Sequence, residues 1–223
     1  IAYGINKDEI IKGVYKSEKY AKKAYSLFVP STKFYTGDVE KYEYNPKKAK
    51  ELLKNAGVNN LKLRLAYINS SKENEQYGLI MQQQLKEIGV ELELVPMERG
   101  AFYDKLLDAS NTDFDLAFNG YVMGREPNSY KPLFLAGDFN NFMGYANKEL
   151  YKKWEEGVVE TDETARGEIY KTIQKQLIED MVVYPIAYPN SIVAVNKKYG
   201  GTEEAKPVPI FMFRDLSKLY ITE

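Results

Sequence analysis

The feature of this sequence that most constrains its fold is a change of hydrophobic period between residues 61 and 95. Residues 61–65 and residues 91–95 alternate apolar with charged side chains, as a strand with one buried face does. Between them, apolar side chains recur at helical spacing at Tyr77, Met81, Leu85 and Ile88. Two strands joined through a helix of this length are expected to be parallel, with a right-handed connection. This unit predicts an α/β fold.

Further helices are predicted on both sides of this unit. Asn45 followed by Pro46 is a typical helix start, and Gly57 is placed to end that helix in the left-handed conformation. Apolar periodicity predicts other helices at residues 101–107, 148–159 and 163–180. The chain is expected to begin inside a helix, because apolar positions continue from Ile1 to Tyr15 without a preceding cap, and this suggests that upstream sequence has been removed.

Short strands are predicted at residues 114–118, 183–188 and 191–195. The first of them runs directly into a segment that contains Gly120 and Gly124. A strand that ends in a glycine-containing loop is a common place for a ligand in α/β proteins. The residues expected to contact a ligand are Asn119, Gly120, Tyr121, Val122, Met123, Gly124, Arg125, Glu126 and, from a later turn, Asn141.

The groups in this loop suit binding. Backbone groups beside the two glycines could hydrogen-bond an extended ligand, while Tyr121 and Met123 could pack on its apolar parts. Arg125 and Glu126 could each hold one terminus of a zwitterionic ligand. The alternative is an ordinary surface loop, in which the two charges form a solvated pair of little energetic consequence.

Composition excludes several mechanisms. The chain has no His and no Cys, which removes thiolate nucleophiles, Ser–His relays and zinc sites of the usual kind. Carboxylate, Lys or Tyr chemistry stays possible, but we expect no enzymatic activity, no metal and no cofactor. The 31 basic and 32 acidic residues nearly cancel and are spread along the chain, so nucleic acid is not an expected partner. No apolar stretch approaches the roughly 18 residues of a membrane-spanning helix, and a soluble monomer is expected.

Several other residues have both a functional and a purely structural interpretation. Arg99 is conspicuous because Arg is much rarer than Lys in this chain, but a residue at a helix start can simply face water. Asn140 could orient the rim of a cleft or form a turn. Asp113 and Asp115 could act as an acid–base pair or bind a metal, yet strand alternation puts them beside apolar residues without further ligands. Some tyrosines could line a groove, although packing is the commoner role; they are Tyr103, Tyr145, Tyr184 and Tyr188.

Four segments together resemble one protein family. Residues 2–11 look like an Ala-x-x-Tyr-Ala-Ile-Asp-Arg-Glu-x-Ile helix, and residues 44–57 are close to Tyr-Asp-Pro-Glu-Lys-Ala-Lys-x-Leu-Leu-x-x-Ala-Gly. Residues 82–92 resemble Gln-x-Gln-Leu-Lys-x-Ile-Gly-Ile-x-Val before a strand, and residues 126–127 with 141–147 resemble an Asp-Pro and Asn-x-x-Gly-Tyr-x-Asn pair. These motifs are similar to those of the solute-binding proteins of peptide and nickel ABC importers, called solute-binding family 5.

The resemblance implies a periplasmic-binding-protein type II lobe with a mixed sheet flanked by helices. Residues 1–223 are then the single carboxy-terminal lobe of a two-lobed clamp, and the amino-terminal lobe is absent from this chain. The implied function is the solute-binding component of an ABC importer, which captures an extracellular oligopeptide between the lobes and delivers it to the permease. Two alternatives stay open: a clamp that signals to a receptor, and a clamp for a non-peptide solute such as a nickel chelate. The implied location is extracellular, as a cell-surface lipoprotein or a periplasmic protein, and the lack of Cys suits bacterial export.

One position departs from the family pattern. In peptide-binding members an Asp shortly before the Asp-Pro or Glu-Pro pair binds the α-ammonium of the ligand, and the corresponding position here is Met123. A thioether cannot form an ion pair with an ammonium group. Either Glu126 takes over that role, or the recognised end of the ligand differs, or the ligand is not an ordinary peptide with a free amino end.

Overall fold

The computed structural model describes residues 1–108, 110–206 and 212–222. Within them the α-helices are, in chain order, α1 (Lys7–Ile10), α2 (Pro46–Asn55), α3 (Lys72–Glu87), α4 (Arg99–Leu106), α5 (Lys148–Val159), α6 (Glu163–Glu179) and α7 (Thr202–Ala205). The strands are β1 (Ala21–Lys23), β2 (Leu61–Ile68), β3 (Val90–Met97), β4 (Leu116–Ala117), β5 (Ala187–Pro189), β6 (Tyr199–Gly200) and β7 (Tyr220–Ile221). The predicted α/β class is confirmed. None of the helices in these ranges combines the length and the apolar composition needed to cross a bilayer.

A parallel three-stranded sheet forms the centre of the first half of the fold. β2 lies in the middle, with β3 on one side and β4 on the other. β2 and β3 pair in parallel along their whole length, and α3 connects them, as the change of hydrophobic period predicts. The antiparallel pairing expected within a mixed sheet is found in two separate ladders, β1–β5 and β6–β7.

Helix α3 packs closely against this sheet. Ser71 caps the helix, because its hydroxyl oxygen accepts a hydrogen bond from Asn74 N at 3.2 Å. At Gly78 the helix comes so near to β3 that a Cβ atom would lie 2.8 Å from Leu94 Cδ2. The buried side chains of this helix and of the sheet form the first hydrophobic core, which includes Leu65, Tyr77, Met81, Leu85 and Leu92.

A second core, rich in aromatic residues, lies around α5 and α6. Asn147 and Asp162 cap these helices by accepting hydrogen bonds from Leu150 N and Ala165 N at 3.0 and 2.8 Å. Both helices lie within a residue of their predicted bounds. The fully buried aromatic side chains of this core are Phe28, Tyr130, Phe134, Trp154 and Tyr170.

The beginning of the chain differs from the expected uncapped helix. Ala2–Gly4 form a single 3-10 turn, and the backbone is extended at Ile5 and Asn6 before α1 begins. The Asn6 side chain caps α1 by accepting hydrogen bonds from Asp8 N and Glu9 N at 3.1 and 3.3 Å. The prediction was wrong because the apolar pattern continues across this break, whereas Asn6 offers the backbone a local cap.

Three predicted strands are shorter than expected, displaced or not observed. β4 comprises only two residues of the predicted 114–118 segment. β5 overlaps the predicted 183–188 segment only at its end. Residues 191–195 form no strand with any described part of the chain. Alternating side chains indicate which residues suit a strand, but a strand also needs a neighbouring strand to satisfy its backbone groups.

Candidate functional site

The candidate loop, residues 119–126, begins at the carboxyl end of β4. Phe118 N donates a hydrogen bond to Ala66 O on β2 at 3.0 Å, so the chain leaves the sheet directly after the pairing of these strands. Because β2, β3 and β4 are parallel, their carboxyl ends meet at the same edge. In open α/β sheets, ligands bind outside this edge. The fold therefore brings the loop to a favourable position for binding.

Asn119 and Tyr121 order the first half of the candidate loop. Asn119 Oδ1 accepts a hydrogen bond from Gly120 N at 2.9 Å, and Asn119 Nδ2 donates to the Tyr121 hydroxyl at 3.4 Å. The Tyr121 ring stacks on that of Phe142, with centroids 6.3 Å apart and planes 9° apart. Burial raises the pKa of Tyr121 to about 12, so its hydroxyl stays uncharged even in moderately alkaline solution. The loop thus lies against the turn that contains Asn141.

The middle of the candidate loop presents apolar side chains and unpaired main-chain groups. Val122 is 68% exposed, while Met123 is half-buried and packs against the second core. The backbone N–H and C=O groups of residues 121–124 form no hydrogen bond with any described residue. These groups are available to an external partner, because main-chain polar groups seldom stay unpaired once they are buried.

The two adjacent charges at the end of the loop do not pair with each other. Glu126 Oε1 accepts a hydrogen bond from Arg166 Nη2 at 2.7 Å. Arg125 is exposed, and its carbonyl oxygen accepts a hydrogen bond from Lys33 N at 2.8 Å. Among the described residues, no carboxylate forms an ion pair with Arg125. At the end of the loop, Glu126 therefore has an ion-pair partner, whereas Arg125 has none among the described residues.

Arg166, on α6, is a residue of this site that the sequence analysis missed. Its Nε donates a hydrogen bond to Gly157 O at 2.7 Å. Its guanidinium carbon lies 5.7 Å from the ring centroid of Phe34 and 5.5 Å from that of Tyr170. The scarcity of Arg in this Lys-rich chain was the one available signal. It does not show that position 166 meets position 126, since no local pattern connects residues 40 apart.

Asn141 shapes a turn with its side chain. Asn141 Nδ2 donates hydrogen bonds to Tyr145 O at 2.8 Å and Leu135 O at 3.2 Å, and its Oδ1 accepts one from Tyr145 N at 3.1 Å. Asn140 makes a similar local contact, with its backbone and side-chain nitrogens both donating to Asp138 Oδ1. The turn places Phe142 against Tyr121. Asn141 therefore shapes the turn, and its neighbour Phe142 makes the contact with the candidate loop.

The acidic pair Asp113 and Asp115 is divided between two basic partners. Asp115 accepts hydrogen bonds from Arg64 Nε at 3.1 Å and Arg64 Nη2 at 3.0 Å, and this pairing holds its pKa below the usual value. Asp113 forms an ion pair with Lys105. Neither carboxylate is left to act as a general base beside the other. The described residues contain no group of three His, Cys, Asp or Glu side chains that could hold a metal ion.

The remaining candidates have mainly packing roles. The Arg99 guanidinium is exposed and lies 5.6 Å from the Tyr103 ring centroid on the same helix. The Tyr145 hydroxyl donates to Asp180 at the end of α6. Tyr184 and Tyr188 are half-buried: Tyr184 contacts the first core, and the Tyr188 hydroxyl donates to the backbone.

Two shallow surface cavities lie away from the candidate loop. One, of about 240 Å³, lies between the end of α2 and the amino ends of β2 and β3; the other, of about 200 Å³, lies between α5 and α6. Neither is lined by a residue of the candidate loop. The exposed side chains of Val122 and Arg125 show that part of the loop faces solvent.

Comparison with known proteins gives consistent results. The family described as "Bacterial extracellular solute-binding proteins, family 5 Middle" matches residues 1–141. The oligopeptide-binding protein AppA of Bacillus subtilis is 27% identical over 180 residues, which cover 74% of this chain and 33% of that protein. The ABC transporter substrate binding protein CtaP of Listeria monocytogenes has a crystal structure that matches 100% of this chain and 46% of its own, with 44% identity and a TM-score of 0.94. The ABC transporter-associated periplasmic binding protein DppA of Helicobacter pylori, in complex with the peptide STSA, matches 100% of this chain and 43% of its own, with 26% identity and a TM-score of 0.82.

These similarities confirm the periplasmic-binding-protein type II lobe expected from the sequence motifs. The chain spans about a third of the length of AppA and less than half of the two solved chains. Since the family match covers more than half of the sequence and the structural agreement extends over all of it, the chain belongs to the bacterial extracellular solute-binding proteins of family 5.

Proposed function

We propose that residues 1–223 form the carboxy-terminal lobe of a two-lobed solute-binding protein of an ABC importer, and that this lobe supplies one wall of the ligand cleft. The wall consists of the candidate loop, residues 119–126, and the turn at Asn141. The full-length protein captures an oligopeptide outside the cell, as a cell-surface lipoprotein or a periplasmic protein. It delivers the peptide, chemically unchanged, to the permease.

The observation that carries the proposal is the unpaired main chain of residues 121–124 on an open surface at the carboxyl edge of the sheet. An extended peptide offers alternating N–H and C=O groups, and such a partner can satisfy an exposed row of the same groups in a protein. The exposed side chain of Val122 and the half-buried side chain of Met123 supply apolar contact beside that row. The name of the oligopeptide-binding protein AppA supports a peptide as the ligand, as does the peptide bound to DppA.

The openness of the loop supports the two-lobed arrangement. Small-molecule sites bury most of the surface of their ligand. The candidate loop lines neither of these two cavities and exposes Val122 and Arg125, which supports a second surface that encloses the ligand. The lengths of the related proteins leave room for such a surface, since this chain matches only 46% of the CtaP chain.

Mass spectrometry of small molecules that stay bound through purification of the full-length protein tests the proposal directly. We expect a set of intact peptides. A nickel complex in place of peptides would support the non-peptide alternative, and steady release of cleaved peptides would contradict the absence of catalysis. Peptide binding without uptake by cells that contain the permease would support the signalling alternative.

A proline substitution tests the role of the main chain. Val122→Pro removes one N–H group that has no partner among the described residues, and we expect peptide affinity of the full-length protein to fall about fivefold to tenfold, as loss of one hydrogen bond predicts. The matched control is Ile192→Pro, at a position with 72% exposure outside the loop. Equal affinities of the two variants in calorimetry, with both folded, would count against main-chain recognition.

A further inference from the structure

The carboxylate of Glu126 is neutralised within the protein. It accepts a hydrogen bond from Arg166 Nη2 at 2.7 Å, and Arg166 is itself fixed by Gly157 O and by two aromatic rings. The Arg166 side chain is only 21% exposed. An ion pair with a guanidinium fixed in this way is more persistent than one between two mobile surface side chains. Glu126 therefore has a cationic partner before any ligand arrives.

The acidic residues that most closely precede the loop in sequence also have basic partners. Asp115 is paired with Arg64, and Asp113 is paired with Lys105. Residues 116–125 contain no acidic side chain. Tyr121 is the other titratable group of the loop; like any tyrosine it is uncharged at neutral pH, and burial raises its pKa further.

Arg125 is the one charged side chain of the loop without an ion-pair partner among the described residues. Its neighbour Glu126 is engaged by Arg166, and no described carboxylate forms an ion pair with the Arg125 side chain. Its main chain is held by the hydrogen bond from Lys33 N at 2.8 Å, so the exposed side chain starts from a fixed point beside Gly124. The loop thus carries one positive charge next to residues 121–124, which include apolar side chains and have main-chain N–H and C=O groups without a partner in the described parts of the chain.

We propose that Arg125 is a specificity-determining residue of this surface and that it receives a carboxylate of the ligand. This inference rests on the proposed function and defines its ligand class: solutes with an anionic group next to an extended apolar part, such as a peptide with its carboxyl end at this point. Glu126 and Arg166 act as positioning residues, which hold the end of the loop and keep Glu126 from cancelling the charge of Arg125. The amino end of a peptide lies elsewhere in the cleft.

The test uses the full-length protein and a mixture of random-sequence pentapeptides, half with a free carboxyl end and half amidated. After gel filtration, mass spectrometry gives the ratio of free-acid to amidated peptides in the bound fraction. We expect the parent protein to enrich free-acid peptides about tenfold, the scale of a charge-assisted hydrogen bond. Arg125→Gln should reduce this enrichment to near unity and retain the melting temperature of the parent, because the side chain is exposed.

A second charge change serves as the control. Lys171→Gln, on the exposed face of α6, removes the same charge outside the loop and should leave the enrichment unchanged. Enrichment that survives in Arg125→Gln would overturn the inference. The inference would also be overturned if acetylation of the peptide amino end weakened binding tenfold in the parent protein but not in Glu126→Gln. Glu126 would then be the residue that binds the ligand. A parent protein that binds no peptide contradicts the proposed function itself, and the inference with it.

Discussion

Lys7, in the first turn of α1, is a lysine almost completely removed from solvent. It is 6% exposed, its Nζ donates a hydrogen bond to Ala24 O at 2.7 Å, and the same atom lies 4.4 Å from the ring centroids of Tyr25 and Tyr184. Aromatic faces and a carbonyl oxygen favour an ammonium group. Burial opposes the charge and is the larger effect, so the pKa of Lys7 is lowered to about 7.

This lowered pKa predicts that stability increases with pH. Above pH 7 the folded protein gives up the Lys7 proton, whereas the unfolded chain keeps it up to about pH 10.4. The free energy of unfolding should therefore rise by about 2 kcal/mol between pH 7 and pH 9 through this residue. Urea unfolding at the two pH values measures it.

Lys7→Met supplies the comparison for this pH dependence. The other charges near the site, Glu43 and Lys23, remain in the variant, so their effects cancel in the difference between the two proteins. We expect the rise to disappear in Lys7→Met. Parallel profiles for parent and variant would mean that Lys7 keeps its proton through this range and that the aromatic rings outweigh burial.

At the scale of elements, α5 and α6 approach each other where α5 has no side chain. A Cβ atom at Gly157 would lie 2.9 Å from Tyr170 Cζ, and the Tyr170 ring is fully buried in the second core. We expect Gly157→Ala to destabilise the protein by about 1–2 kcal/mol, because overpacking outweighs the gain in helix propensity.

Gly100, in α4, provides the matched control for this prediction. A Cβ atom there meets nothing within 4 Å. Gly100→Ala should therefore stabilise the protein by about 0.5–1 kcal/mol through helix propensity alone. Denaturant unfolding of both variants should give changes of opposite sign, and a stabilised Gly157→Ala would show that the Tyr170 ring can move aside.

The sequence was sufficient to predict elements whose signal is local. Helix α2 could be located from Asn45, Pro46 and Gly57, and the β2–α3–β3 unit from its change of period. The loop after β4 was located because it follows a strand directly. Contacts between distant residues could not be predicted: the Arg166–Glu126 pair joins two segments that are far apart in sequence, and no pattern in either segment indicates the other. The position of the loop was therefore easier to predict than the pairing of its charges.

At the scale of the whole molecule, the candidate loop connects the surroundings of the first and second cores, which are the two larger of the three hydrophobic clusters formed by the described residues. Its beginning is attached to β2, which packs in the first core, through Phe118 and Ala66. Its end is attached through Lys33 and Arg166, whose neighbours Phe34 and Tyr170 belong to the second core. We expect residues 1–223 alone to be a monomer that unfolds in one cooperative step, because both cores and the connection between them lie in this chain. Sedimentation and calorimetric unfolding test this expectation.

The isolated lobe should be hardly stabilised by ligand. A ligand at a hundred times its dissociation constant stabilises the full-length protein by about 2.7 kcal/mol. If the lobe alone binds a hundredfold more weakly, the same ligand concentration stabilises it by only about 0.4 kcal/mol. Thermal unfolding of both proteins with the same pentapeptide mixture measures the two effects. Equal stabilisation would mean that one wall is enough for binding and that no second lobe is needed.

Attachment at both ends gives the candidate loop a fixed span. Exchange of the exposed Val122 side chain changes what the surface recognises and leaves its position alone, whereas the Met123 side chain also packs against the second core. An inserted or deleted residue has to be absorbed within residues 119–124, or it releases Phe118 from β2 or Arg125 from Lys33. We therefore expect a substitution at Val122 to change ligand preference at an unchanged loop position, and a change of loop length to move the binding groups themselves.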